Sequence, residues 1–87
     1  MKVYIVKDNM KNSHAIVFST EENARKYIQK FCNSVKGVIY SIHNDSGENY
    51  IEVSYELYYK QGEETIFVNF NLYSEIIDLW FNDKEVQ

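Results

Sequence analysis

The sequence predicts a single-domain α+β fold over residues 1–87: one long helix packed on one face of an antiparallel sheet of about five strands, in the order ββαβββ, with a short C-terminal helix as a further element. Three observations lead there. A helix-capping pattern precedes a stripe of apolar residues spaced three and four apart, two long segments of the second half alternate apolar and polar residues, and 87 residues suffice for one core only.

The first strand is Lys2–Lys7, with Val3 and Ile5 on one face and Tyr4 and Val6 on the other, a nearly continuous apolar run suited to a central position. Asp8–Ser13 is polar and turn-forming, and His14–Phe18 pairs back as the second strand. Ser19-x-x-Glu22 then reads as a capping box. Behind it Ala24, Tyr27, Ile28, Phe31, Cys32 and Val35 form the apolar stripe, and Arg25, Lys26, Gln29, Lys30, Asn33 and Lys36 fall on the wet side. Gly37 stands where a left-handed residue ends a helix.

In the second half, a two-residue turn at Gln61-Gly62 sets Leu57 against Ile66, Tyr55 against Val68, Val53 against Phe70 and Ile51 against Leu72 on one face. The other face pairs Tyr58 with Thr65, Glu56 with Phe67, Ser54 with Asn69, Glu52 with Asn71 and Tyr50 with Tyr73. A loop at Asp45–Glu48 adds a third strand, with Val38, Tyr40 and Ile42 facing the helix and Ile39, Ser41 and His43 facing away. Ser74–Phe81 supplies the closing helix through Ile76, Ile77, Trp80 and Phe81, an edge strand being the alternative.

Several chemistries are missing. Each of the three glycines has a turn or cap to make, and no GxGxxG, phosphate-loop or nucleophile-elbow pattern occurs. Cys32 falls on the apolar stripe, and His14 and His43 are far from it and from each other, so no metal or cofactor site is expected. Glu52 and Glu56 share a face at about 13 Å, too far apart for a paired-carboxylate mechanism. The chain reads as a binding protein and not as an enzyme.

Charge is divided unevenly. Residues 1–43 carry seven Lys/Arg against three acids, and residues 44–87 carry two against ten. The second half therefore repels phosphates and favours basic surfaces, which argues against direct nucleic-acid binding. The cations on the helix could also meet the acidic sheet of a second copy, giving a homodimer. No apolar run approaches a membrane span, and a lone cysteine fits a reducing compartment, so a cytoplasmic location is expected. Abundant Lys, Asn, Ile and Tyr with a single Arg matches an AT-rich coding sequence, as in a low-GC bacterium or its phage.

The candidate partner-binding residues are Tyr50, Glu52, Glu56, Tyr58, Phe67, Asn69, Asn71 and Tyr73, rings set among carboxylates and amides on the face turned from the helix. The segment Lys2–Val6 followed by Val17–Ile28 resembles the ββα opening of small phage and bacterial proteins. Short, acidic and without an enzyme motif, the chain is similar in character to phage-encoded inhibitors of bacterial defence, anti-CRISPR proteins among them. That resemblance implies an inhibitor of a larger, nucleic-acid-handling protein. The alternatives are an immunity protein neutralising a toxin and a small-ligand-binding or sequestering protein.

Overall fold

The computed structural model describes residues 1–10 and 14–77. It shows β1 (Lys2–Asp8), β2 (Ile16–Phe18), α1 (Glu21–Ser34), β3 (Val38–Asn44), β4 (Glu52–Gln61) and β5 (Glu64–Ile76). The predicted α+β class and ββαβββ order hold: one five-stranded antiparallel sheet, ordered β2-β1-β5-β4-β3, carries the helix on one face. Among the described residues no helix is long and apolar enough to cross a membrane.

The helix stripe packs as its spacing requires. Ala24, Ile28 and Cys32 are buried, and Phe31 meets Phe70 edge-on at 5.2 Å between ring centroids. On the sheet side the same core takes Val6, Phe18, Val53, Tyr55, Leu57, Val68, Phe70 and Leu72. α1 lies over β1, β2 and β5, so cover is deepest at that end of the sheet. There the opposite, outer face is buried too: Val3, Ile5 and Val17 form a second cluster with Ala15, Tyr73 and Ile77 against it.

Six local expectations are corrected. Thr20, one residue after Ser19, is the N-cap, its hydroxyl accepting from the Asn23 amide at 3.1 Å. At the other end Lys36, not Gly37, takes the left-handed conformation, with φ 54°. The Lys36 and Gly37 amides then donate to the Asn33 and Cys32 carbonyls in a Schellman arrangement. Gly37 is needed for a different reason: a Cβ there would stand 3.0 Å from the Tyr58 carbonyl oxygen of β4.

The β4–β5 turn is Gly62-Glu63, because Gly62 supplies the positive φ of 64° at the first turn position. Gln61 therefore faces Glu64, and every partner moves by two: Leu57 faces Val68, Tyr55 faces Phe70 and Val53 faces Leu72. A shift of two preserves the faces, so the apolar set still points at the helix.

β3 departs further, through a bulge between Ile39 and Ser41. Ile39 opposes Leu57 and Ile42 opposes Tyr55 on the helix side, whereas Val38 opposes Tyr58 on the outer side. Val38 and Tyr40 were expected beside Ile42, and the extra residue turns them away from it. The connection to β4 is longer than the predicted Asp45–Glu48 loop, running over residues 45–51, and the Asp45 and Gly47 amides close it by donating to the Glu52 and Tyr50 carbonyls.

Ser74–Ile76 continues β5 instead of starting a helix. The reason is hydrogen bonding: Lys2, Val3 and Tyr4 of β1 pair with Ile76, Glu75 and Ser74. The remainder of that predicted helix, residues 78–81, lies outside the described residues.

Candidate binding face

On the outer side of β4 and β5, Tyr58 stands directly opposite Phe67. The bulge swings Tyr40 onto the same patch, and the three rings close a triangle with centroid separations of 5.8, 6.2 and 6.2 Å. Phe67 is 63% exposed and Tyr40 51%, with Val38 exposed beside them. Isolated surface hydrophobics are ordinary, but three mutually packed rings with water on their far side form a contiguous apolar patch.

The face has a graded composition. On one side of the rings, Lys60 donates to Thr65 at 2.7 Å. On the other, the next rungs are Glu56 opposite Asn69 and Ser54 opposite Asn71, then Glu52 opposite Tyr73. Glu52, Glu56 and Asn71 are exposed. Lys7 of β1 pairs with Asn71, so two ammonium groups share a face that the sequence presented as acidic.

Of the eight candidate residues, Tyr58, Phe67, Glu56, Glu52 and Asn71 therefore run along one strip. Asn69 lies on it but is occupied structurally: its side chain donates to Ser54 Oγ at 2.8 Å, and its backbone amide donates to Asn9 Oδ1 at 2.9 Å. Tyr73 is half-buried against Val3, Ile5 and Val17. Burial raises its phenol pKa, and Glu75 adds to the rise. Tyr50 and Tyr73 are not partners, since Glu52 takes that place. The Tyr50 ring lies on Gly47, where a Cβ would fall 2.3 Å from Tyr50 Cε1, so Tyr50 clasps its own loop.

Tyr40 and Val38 are the members that sequence reasoning missed. Val38, Tyr40 and Ile42 alternate with Ile39, Ser41 and His43, and nothing in that pattern marks an inserted residue.

The helix side holds a concavity. Because α1 leans towards β1 and β2, a groove of about 690 Å³ opens beside β3 and β4, lined by Ile28, Ile39, Ile42, Tyr55, Arg25 and Glu21. Arg25 Nε donates to Glu21 at 2.6 Å, and its Nη1 donates to the Tyr55 hydroxyl. Burial raises the Tyr55 phenol, the Arg25 charge opposing that rise. Glu22 is paired with Lys26 in the same way, so two of the helix cations are already neutralised by their own helix.

No family model matches this chain, and no curated protein or solved structure matches it either.

Proposed function

We propose that this chain is a non-enzymatic binding protein that inhibits a larger protein by covering a groove on it, with Tyr40, Tyr58 and Phe67 as the anchor. The observation that supports this reading is the exposed ring triangle on a rigid sheet. Aromatic anchors set in backbone that is already ordered lose little entropy on docking, and such residues carry most of the energy of an interface. Glu52 and Glu56 extend from the anchor as an acidic strip, suited to cationic groups flanking an apolar pocket. A basic nucleic-acid channel of a defence enzyme, blocked by a phage-encoded protein, is the partner class that combines these features.

Capture from host lysate at increasing salt tests the reading. The partner held by the unaltered chain should bind about 30-fold more weakly to Phe67→Ala or Tyr40→Ala, in keeping with a central hot spot. It should elute at lower salt from Glu52→Lys and Glu56→Lys. A partner indifferent to all four substitutions would overturn the proposal.

A second reading, a small-ligand binder, draws on the groove beside α1. A ligand retained in native mass spectra and lost on Ile39→Trp would favour it over the first.

A further inference from the structure

A sheet edge exposes backbone N–H and C=O groups that natural proteins usually guard with charge, proline or brevity. This sheet has two edges. β2 is guarded by brevity, with three residues. β3 has seven, Val-Ile-Tyr-Ser-Ile-His-Asn, with no lysine, carboxylate or proline among them. Among the described residues its only guard is the bulge, which leaves Ser41–Asn44 regular.

The direction of the unpaired groups follows from the ladder. Asp45 and Gly47 donate to the Glu52 and Tyr50 carbonyls, and in an antiparallel pair such bonded residues alternate with unbonded ones. Ser41 and His43 therefore aim their backbone groups at β4. Ile42 and Asn44 aim theirs outward, past the end of the sheet. The Ile42 side chain, on the helix side, is 58% exposed although it opens onto the apolar groove.

We propose that two copies of this chain pair antiparallel through β3, with Ile42 of each meeting on the two-fold axis. In that register the two Ile42 residues exchange their backbone hydrogen bonds and bring their side chains into contact, and Ser41 of each copy stands opposite His43 of the other. Charge selects a second copy as the occupant. A two-fold contact sets each charged residue near its own duplicate, and the chain carries a net charge of −4. The helix face carries Arg25, Lys26 and Lys30 and the outer face Glu52 and Glu56, whereas β3 brings no formal charge to its axis. The product is one continuous sheet ended on both sides by the short β2, so assembly stops at two copies. Both ring triangles stay open, and the pair presents the proposed partner with two anchors.

Sedimentation equilibrium and oxidative cross-linking on the full chain test this. The unaltered chain should move from 10.4 kDa to twice that mass as concentration rises. Ile42→Lys, which puts two ammonium groups on the axis at an already exposed site, should raise the dimer dissociation constant by at least about tenfold with the fold intact by circular dichroism. Ile42→Cys should form a disulfide-linked dimer under mild oxidation, since directly bonded antiparallel partners stand about 5.5 Å apart at Cα, within disulfide range. Tyr50→Cys, comparably exposed at 52%, should not. Phe67→Ala should leave the dimer unchanged, which separates this proposal from the one on partner binding. A single-chain mass up to about 1 mM, a dimer that tolerates Ile42→Lys, or equal cross-linking at residues 42 and 50 would each overturn it.

Discussion

The two ends of the sheet are built from similar side chains and treated in opposite ways. Around β1 and β2 both faces are buried, Val6 and Phe18 beneath the helix and Val3, Ile5 and Val17 on the far side. Around β3 both faces meet water, Ile42 at 58% exposure on one and Tyr40 at 51% on the other. The placement of α1 makes the difference, since one helix of fourteen residues covers part of the sheet and leaves the rest open. Buried apolar packing on both faces marks the covered end, and exposed apolar surface the open one.

The most direct way to break this comparison is to truncate one apolar residue at each end. Ile5→Ala should cost about 2–5 kcal/mol in urea unfolding, as for a buried aliphatic side chain that leaves a cavity. Phe67→Ala removes more atoms but should cost at most about 0.5 kcal/mol, because its ring is already largely in water. Equal losses would show that the open end bears load after all.

The link from α1 into β3 sharpens the comparison. Gly37→Ala drives a methyl against the Tyr58 carbonyl and should cost about 1–3 kcal/mol. Lys36→Gly should do the reverse and stabilise by about 0.5–1 kcal/mol, by relieving a left-handed lysine. Thermal and urea midpoints of the pair separate close approach from backbone conformation as the reason for each residue.

The smallest effect is alkaline. Burial raises the phenols of Tyr27, Tyr55 and Tyr73, so the folded chain holds these protons more tightly than the unfolded one. Their contribution is complete below the unfolded value of about 10 and is lost as pH rises through the raised folded values. Unfolding midpoints should fall above that pH, and Tyr73→Phe should flatten part of the slope.

The class, the helix and the inward set of β4 and β5 were legible in the sequence because burial imposes a period that any correct register must respect. The register itself was not: with glycine at the first turn position instead of the second, the partners slide by two and the pattern looks unchanged. The aromatic patch was half legible. Tyr58 and Phe67 followed from alternation, but Tyr40 joins them only through the bulge, which breaks the period that served as the guide. Tyr50 and Tyr73 were assigned by face alone, and one lies on its own loop while the other fills the second cluster.

The adjacency of β1 and β5 bears on how the molecule comes into being. During synthesis β1, β2 and α1 emerge first, yet the partner that flanks β1 opposite β2 is the last strand described. The β4–β5 hairpin, joined by a tight turn, is local and quick to form, whereas closing the middle of the sheet must span most of the chain. The nascent protein therefore acquires its native topology only when β5 has left the ribosome.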